Sequence, residues 1–383
     1  MTSILRGTLA ALIGFASTVW FAATPAAADD IDTCGKAAGD EAIAACTRAI
    51  DSGRYSGPRL AALFKGRCSE WSRGRESDKA FADCNEAIRL DPNDAEAFNS
   101  RGSIYGAKRQ YDHAIEDFGQ AIRLNPNYAT SFYNRGTTYK QKGEYDRAIQ
   151  DLNEAIRLDA NSADAFYNRG NAYNAKGQRD RAIEDFTQVI RLDPTYAGAF
   201  NNRGSAYKAI GQYDRAIEDF DQAIRLDPND VAAFYNRGGA FGAKRQYDRA
   251  IEDFDQAIRL NPNLTEVFNN RGSTYGSKRQ YDRAIEDFNQ AIRLDPNNAT
   301  AFDNLGLAYT AKDQYDRALE EFDQAIRLDP NRATAFYHRG IVWERKNDLQ
   351  RALADFKRFS ELAPSDPNGP KIVERVTKAL SGR

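Results

Sequence analysis

A unit of 34 residues recurs along most of this chain without insertion or deletion, and this period is the strongest constraint on its fold. A glycine marks the same place in eight successive copies, from Gly102 through Gly136 to Gly340. A small alanine such as Ala114 follows each glycine, and a proline such as Pro126 closes most copies. Periods of about 20–50 residues are typical of proteins that stack one small supersecondary unit. Nine copies fill residues 61–366.

Each copy reads as two helices separated by a turn. In residues 129–162 the first helix covers about residues 131–142 and ends at Gly143, a residue type that stops helices. The second covers about residues 146–158, where apolar side chains recur at helical spacing. The closing L-D-P-N motif interrupts the chain, because proline cannot continue a helix. The sequence therefore predicts an all-α chain of helix–turn–helix repeats.

The repeated pattern G…Y…A…F…P resembles the tetratricopeptide repeat family. The resemblance covers about four-fifths of the chain, and nine repetitions make it highly specific. It implies a right-handed α-solenoid, a superhelix of stacked helix pairs whose first helices line a concave groove. Two positions depart from the family pattern, since phenylalanine replaces the usual tryptophan and arginine replaces the usual leucine before the glycine. In one copy the matching residues are Phe200, Gly204, Tyr207, Ala216, Phe220, Ala223 and Pro228.

The two ends of the chain differ from the repeats. Residues 1–28 combine Arg6, an apolar run and Ala26-Ala27-Ala28, the pattern of a secretory signal peptide cleaved after Ala28. An uncleaved anchor is the alternative, although the apolar run is short for a membrane span. We expect a periplasmic or secreted protein with no membrane span in its mature form. Residues 29–60 are predicted to form a half-copy cap with a disulfide, and residues 367–383 a C-terminal capping helix.

All four cysteines lie near the N-terminus, and an even number in an exported chain indicates disulfides. Three pairings are possible. In the 34-residue frame, Cys68 and Cys84 fall at positions that face each other within one helix pair. Cys46 falls at the position equivalent to that of Cys84, and Cys34 lies just upstream. The sequence therefore favours Cys34–Cys46 and Cys68–Cys84, with free buried thiols as the alternative. Such bridges would hold the end of the array that has no stacking neighbour.

Composition and motifs argue against several functions. The formal net charge is −2 and no basic stripe is present, so nucleic-acid binding is not expected. The only histidines, His113 and His338, are far apart, and the chain has no metal-ligand motif or Gly-rich phosphate loop. No catalytic constellation is visible either. We expect a non-enzymatic protein without cofactor or metal.

A row of asparagines marks the predicted groove face. At about 100° per residue, Asn134 lies opposite the packing residues Phe132 and Gly136 of its helix. An asparagine amide can pair with both a peptide N–H and a C=O group. The row resembles one found in superhelical members of the family that bind extended peptides, although these amides could instead bond neighbouring turns or face water. The row consists of Asn134, Asn168, Asn202, Asn236, Asn270 and Asn304, followed by His338.

Tyrosines flank this row on the groove's edge, at Tyr133, Tyr167 and Tyr235. They could hold a ligand's side chains, but such aromatics more often pack between adjacent repeats, and we favour that reading. The arginine before each glycine, such as Arg203, lies instead at the edge of the buried apolar face of the first helix. Asp219 lies at the edge of the buried apolar face of the second helix. The two are therefore predicted to form an ion pair across the interface between the two helices of one copy, called here the seam.

The function predicted from these features is a protein-interaction scaffold that binds an extended segment of a partner protein in its groove. The alternative is a structural or assembly protein of exported polysaccharide or envelope machinery, whose groove binds glycan. Asparagine, tyrosine and small polar residues would suit a sugar as well. The partner, its pathway and the oligomeric state are left open by the sequence.

Overall fold

A computed structural model describes residues 26–382 of the chain, and its described residues form 21 α-helices and no β-strand. The all-α repeat architecture expected from the sequence is therefore confirmed. The helices are α1 Ala26–Lys36, α2 Gly39–Asp51, α3 Gly57–Arg73, α4 Ser77–Leu90, α5 Ala95–Ala107, α6 Tyr111–Leu124, α7 Ala129–Gln141, α8 Tyr145–Leu158, α9 Ala163–Ala175, α10 Arg179–Leu192, α11 Ala197–Ala209, α12 Tyr213–Leu226, α13 Val231–Ala243, α14 Tyr247–Leu260, α15 Thr265–Ser277, α16 Tyr281–Leu294, α17 Ala299–Ala311, α18 Tyr315–Leu328, α19 Ala333–Arg345, α20 Leu349–Leu362 and α21 Asn368–Ser381.

The chain divides into two compact units, residues 1–143 and 144–383. The first unit contains α1 to α7 and the second contains α8 to α21. The predicted signal peptide lies almost wholly outside the described residues, and α1 begins at Ala26, just before the expected cleavage point. Between residues 26 and 382, no helix is both long and apolar enough to cross a membrane.

The second helix of each copy is amphipathic, with apolar side chains at a regular helical spacing along one face, called here the apolar stripe. In α12, Ala216, Phe220 and Ala223 are fully buried at a helical spacing. Asp214 lies in its first turn and Arg225 in its last turn, where each charge is stabilised by the helix dipole. The stripe is narrow, so it is buried only when another helix covers it.

The turns between copies are fixed by aspartate side chains. After α12, Asp227 Oδ1 accepts a hydrogen bond from the Asn229 backbone N–H at 3.0 Å, which forms an Asx turn around the proline. Asp230 then caps α13 by accepting from the backbone N–H groups of Ala232 and Ala233. The L-D-P-N motif therefore ends one helix and orients the next.

The glycine of each first helix is required by the phenylalanine of the second. A Cβ atom on Gly204 would lie 2.8 Å from Cε1 of Phe220, which is closer than real Cβ contacts. The first copy has Cys68 at the glycine seat and Cys84 at the phenylalanine seat, and a disulfide joins them. This bridge links α3 to α4 where later copies rely on the glycine–phenylalanine contact.

The N-terminal segment is also bridged, by a disulfide between Cys34 of α1 and Cys46 of α2. Both pairs are those that the repeat frame favours. The helix α2 covers the predicted half-copy, and the shorter α1 packs against it, with Ile31 beside a cluster that includes Leu63 of α3. The apolar face of α3 is thus covered at its N-terminal side.

The C-terminal helix α21 covers the last repeat. Its Val376 is fully buried in a cluster with Leu349 and Phe356 of α20, and its Ile372 and Val373 pack against the same cluster. An amphipathic helix at this place removes from water the apolar surface that a further copy would otherwise cover.

Within each unit, first helices stand closer together than second helices. In the second unit, consecutive first helices approach each other along the series α9, α11, α13, α15, α17 and α19. No two second helices in the described part of either unit have Cα atoms within 8 Å of each other. Helices that crowd together lie on the inner side of a curved stack. The exposed faces of these first helices, called here the first-helix surface, form the inner side of each stack.

Candidate functional site

The arginine before each glycine forms a two-bonded ion pair across the seam, as predicted. Arg203 donates from Nε to Asp219 Oδ2 at 2.8 Å and from Nη2 to Oδ1 at 2.7 Å. This fork-to-fork geometry is the strongest form of an arginine–carboxylate contact. Arg135 and Asp151 belong to different units, and their pairing stays a prediction. The same geometry occurs in Arg67–Asp83, Arg101–Asp117, Arg169–Asp185, Arg237–Asp253, Arg271–Asp287 and Arg339–Asp355.

The same arginine also reaches the preceding copy. Arg203 Nη1 donates to Thr187 Oγ1 at 3.1 Å, and Arg237 Nη1 donates to Asp221 Oδ1 at 2.6 Å. Thr187 and Asp221 lie on the second helices of the preceding copies, sixteen residues before each arginine. Each such guanidinium therefore ties two consecutive second helices together, which fixes the rotation from one copy to the next.

Burial dominates the electrostatics of the seam. The side chain of Asp219 is 8% exposed and that of Arg203 is 17% exposed. Burial raises the pKa of the Asp219 carboxyl above its ordinary value, although the hydrogen bonds and charge of Arg203 oppose the shift. The pair consequently resembles a buried ion pair, whose loss of hydration offsets much of its attraction. These contacts fix how the helices are placed against one another. The arginine is therefore used within the seam and has no role on the first-helix surface.

The copy at residues 299–332 departs from this arrangement. Leu305 stands at the position that is arginine in the other copies, and it is almost completely buried. Glu321 takes the aspartate seat, and its pKa is raised by burial and by the nearby charge of Glu320. Both members of the pair have changed, as the sequence showed.

The row of amides faces the preceding copy. Asn134 Nδ2 donates to Asn99 Oδ1 at 3.0 Å, and Asn270 Nδ2 donates to the Tyr235 hydroxyl at 2.9 Å. Asn304 Nδ2 donates to Asn269 Oδ1 at 2.9 Å in the same way. The acceptor is in each case the residue 35 positions earlier, on the preceding first helix. These three amides therefore link neighbouring first helices, a contact that differs from the bonds to neighbouring turns and the exposure to water that the sequence left open, and the role of the row in ligand binding stays a prediction.

Other members of the row vary in their contacts. Asn202 Nδ2 donates to the Tyr167 hydroxyl at 3.0 Å and to Asn171 Oδ1 at 2.8 Å. Asn236 Nδ2 donates to Asn201 Oδ1 at 3.2 Å. Asn168 Nδ2 donates to the Asp164 carbonyl oxygen of its own helix at 2.9 Å. Nδ2 of each of these half-buried amides donates to an acceptor within the protein. The Oδ1 atom is therefore the part of the side chain that can accept a hydrogen bond from a ligand.

The tyrosines sit between copies. The Tyr167 ring packs 5.9 Å from Phe186 and 4.9 Å from Tyr196 of the next turn, between ring centroids. Tyr235 packs against Phe254 at 6.2 Å. Both hydroxyls accept from the amide of the following copy, so these rings are packing residues of the kind that the sequence favours. Tyr133 lies half-buried on α7, and its predicted role at the groove's edge stays a prediction.

The acceptors of the amides were only partly recognised in the sequence, which placed Tyr167 and Tyr235 on the groove's edge but did not single out the asparagines. Asn99, Tyr167, Asn201, Tyr235 and Asn269 all precede the amide seat of their copy by one residue and all carry a side-chain oxygen. In the copy with Leu305, Asp303 takes this place. Asp303 accepts from Arg332 Nε at 2.9 Å and Thr334 Oγ1 at 2.9 Å, and His338 Nδ1 lies 2.7 Å away. Burial raises the pKa of Asp303, but these contacts bring it below its ordinary value.

A lysine on the first-helix surface was missed as well. Lys208 Nζ donates to Asn236 Oδ1 at 3.0 Å, and burial lowers the pKa of its ammonium group. The corresponding seat carries Lys140 in an earlier copy, and burial lowers the pKa of that lysine too. On a helical wheel, these lysines lie close to the angle of the tyrosines on the groove's edge, so their position on this surface could have been predicted from the sequence. In the part of the chain that the structure describes, no three His, Cys, Asp or Glu side chains form a group able to hold a metal.

The fold and the repeating seats define an all-α helical repeat solenoid. Family models described as TPR repeat or tetratricopeptide repeat match the chain without a gap over residues 102–378, and the chain belongs to the tetratricopeptide repeat family. Proteins of this family are scaffolds for protein–protein interaction. The matches cover 102–143, 136–177 and 204–244 for one model, 305–378 for a second, 163–196, 231–264 and 265–298 for a third, and 186–218 and 288–320 for a fourth.

Two solved structures share the fold, and a third is similar in sequence over about half of this chain. A tetratricopeptide repeat protein from Parabacteroides merdae is 20% identical, with 65% of this chain and 98% of that chain covered at a TM-score of 0.53. The APC/C hetero-tetramer Cut9–Hcn1 is 16% identical, with 88% and 82% covered and the same TM-score of 0.53. YrrB, described as a TPR protein with an unusual peptide-binding site, is 26% identical, with 49% and 96% covered at a TM-score of 0.42. A search of curated proteins found no match.

Proposed function

We propose that the first-helix surface binds an extended segment of a partner protein, and that the protein is a non-enzymatic scaffold. The observation that carries this proposal is the orientation of the amide row. Each Nδ2 that bonds the preceding copy holds its amide in place, as in Asn202 and Asn270. The Oδ1 atom is then a pre-positioned acceptor for a backbone N–H, and a fixed acceptor loses little entropy on binding.

Lys208 supports the same use of the surface. Its ammonium group is partly desolvated and its nearest polar partner is the neutral Asn236 oxygen. A partner's carboxylate placed here would restore the favourable interactions that burial removes from the ammonium group. The partner segment is therefore expected to carry an acidic residue.

The protein is proposed to act in the periplasm or outside the cell, on an envelope protein. The pattern of residues 1–28 and the two disulfides near the N-terminus support export, because disulfides persist in oxidising compartments. Expression of the full chain with a C-terminal tag should yield a product that begins at Asp29, as read by N-terminal sequencing of the extracytoplasmic fraction. A product retaining Met1 would contradict export by a cleaved signal.

The binding proposal is tested by capturing envelope proteins on the immobilised mature chain and then on variants. Asn270→Ala should weaken capture about five-fold, which corresponds to the ~1 kcal/mol of one hydrogen bond. Tyr235→Phe is the matched comparison, because it removes the acceptor that positions Asn270 Nδ2 but leaves the amide on the surface, and it should weaken capture by less than Asn270→Ala does.

A smaller weakening of capture in Tyr235→Phe than in Asn270→Ala would support the amide as a ligand contact. Equal effects of both variants on capture, together with equal effects on melting temperature, would assign the row to copy-to-copy coupling alone. Binding of the same surface to immobilised glycans, with no envelope protein captured, would favour a polysaccharide-associated role instead.

A further inference from the structure

A cavity of about 330 Å³ opens on the first-helix surface between α15 and α17. Gly276 and Ser277 of α15 form one side, Leu307 and Asn304 of α17 form the other, and Phe288 of α16 contributes to the lining. No charged side chain lines it. The cavity is therefore suited to an uncharged group, with polar side-chain atoms only on Asn304, Tyr281 and the two serines.

The space depends on a position without a side chain on α15 and an added side chain on α17. Gly276 stands where Lys208 lies two copies earlier and where Gly242 lies one copy earlier, and a Cβ atom on Gly276 would meet nothing within 4 Å. The seat of Leu307 holds the small Ser273 and Gly239 in the preceding copies. A missing side chain on one helix thus faces an additional apolar side chain on the next.

Leu307 is an apolar side chain without adequate cover. It is 39% exposed, one of the few large hydrophobic side chains to be so in the described chain. Its counterpart in the next copy, Ile341, packs against the cluster that contains Val376 of α21. In the last copy, the apolar side chain at this position is therefore covered by a cluster that α20 and α21 form together. Leu307 has the same chemistry, and no described element covers it to the same extent.

We propose that this cavity takes one bulky, uncharged apolar side chain of the partner's extended segment and so sets the register of that segment. The proposal rests on the proposed function and specifies the partner. For scale, a cavity of about 150 Å³ lined by apolar side chains holds a benzene molecule. The cavity here is open on one side and has room for a leucine, phenylalanine or tryptophan side chain. A charged group would lose its hydration with no partner to replace it.

The register of the bound segment, meaning its position along the array, would be set by the difference between this cavity and the positions that repeat from copy to copy. A segment bound only by the amide row could slide by one copy and meet almost the same contacts. A single side chain seated beside Leu307 would have no equivalent place one copy earlier, where Ser273 replaces the leucine. The partner would therefore bind in one position.

The experiment uses the mature chain and a random-peptide library displayed on phage. Peptides enriched on the native protein should share one large apolar residue flanked by polar ones. Gly276→Leu adds an apolar side chain beside the cavity at a position where a Cβ meets nothing within 4 Å, and should weaken binding of an enriched synthetic peptide about ten- to hundred-fold, as expected when one apolar side chain loses its site. Gly242→Leu is the matched control at the same seat one copy earlier, where a Cβ also meets nothing within 4 Å.

Circular dichroism and melting temperature establish that both variants are folded, and leucine favours a helix more than glycine does. Equal loss of affinity in the two variants, or enriched peptides without a common apolar residue, would overturn the cavity proposal and leave peptide binding intact. Leu307→Ser should reproduce the loss, and full affinity in that variant would also overturn it. Failure of the native protein to enrich any peptide would overturn both the cavity proposal and the proposed function.

Discussion

The seam pair of Arg203 and Asp219 allows a quantitative test of how the copies are held together. Arg203→Leu leaves the Asp219 carboxylate largely buried without its cation, and breaking a buried pair in this way costs about 3–5 kcal/mol. We expect a value near the lower limit, about 3 kcal/mol, because both side chains keep a small exposed fraction. Asp219→Leu should cost less, since Arg203 keeps its hydrogen bond to Thr187 and its long side chain can reach water.

The double variant Arg203→Leu with Asp219→Leu should recover much of this loss. Two apolar side chains in a mostly buried seam need no ionic partner, and the remaining cost is about 1 kcal/mol for the hydrogen bond to Thr187. The interaction energy is the cost of the double variant minus the two single costs, so its magnitude should be about 2 kcal/mol plus whatever Asp219→Leu costs alone. The burial of Leu305 at the same seat shows that a leucine can be accommodated there.

Hydrogen–deuterium exchange of the amides in α11 and α12 is the appropriate assay, with urea unfolding in parallel, because long repeat arrays do not always unfold in one step. The exposed pair Lys244–Asp214 is the matched control, since its aspartate is 80% exposed. Leucine substitutions in that pair should interact by less than about 0.5 kcal/mol. If the penalties at Arg203 and Asp219 simply add, the ion-pair reasoning is refuted.

The pH dependence gives a second check on the same pair. Burial already raises the pKa of Asp219, and removing Arg203 takes away the contacts that oppose this shift. A carboxyl whose pKa is higher in the folded than in the unfolded state binds protons more readily when folded, so its destabilising effect appears above the raised pKa. The penalty of Arg203→Leu should therefore shrink as the pH falls through that value. A penalty that grows on acidification would contradict this assignment.

Three further outcomes follow from other seats. Arg279 has a φ of 60° where Gly177 has 76°, so Arg279→Gly should raise stability by up to about 1 kcal/mol and Gly177→Arg should lower it, as measured by urea unfolding. Reduction of the Cys68–Cys84 bridge, which spans 16 residues, should cost about 3 kcal/mol in the first unit, and a variant with both cysteines changed to serine should show this loss without reductant. Glu321→Gln should stabilise the protein at neutral pH, because burial raises the pKa of this carboxyl, and the gain should vanish as the pH falls through that pKa.

Features repeated in every copy were predictable from the sequence. The helix boundaries in residues 129–162 lie within two residues of the expected ones, because the apolar period, the turn glycine and the proline act locally. The pairing of Arg203 with Asp219 was predictable as well, because both lie at the edge of stripes that must face each other. Geometry within one helix pair depends on little beyond the helical angle.

Contacts between copies were harder to predict. The bond from Asn270 to Tyr235 depends on the rotation from one helix pair to the next, which the sequence of a single copy does not reveal. The reach of Lys208 to Asn236 depends on the same rotation. The cavity beside Leu307 requires a side chain missing from one copy and another added in the next, and a helical wheel drawn for one copy shows neither.

Recognition of one partner in one position requires that the copies differ. A surface of identical seats offers the same free energy at every shift of one copy, so the bound states are degenerate and no position is selected. A difference of about 1.4 kcal/mol at one seat already favours one register ten-fold. The copy at residues 299–332 departs from the others at the seam, at the acceptor Asp303 and at the surface residue Leu307 together. Replacement of the seam pair by Leu305 and Glu321 frees this copy from the arginine that ties its neighbours, and Asp303 holds the next copy through Thr334 and His338 instead. The irregular surface residue is thus carried on a copy whose coupling to its neighbours has also been rebuilt, which is where selection for one partner position would act.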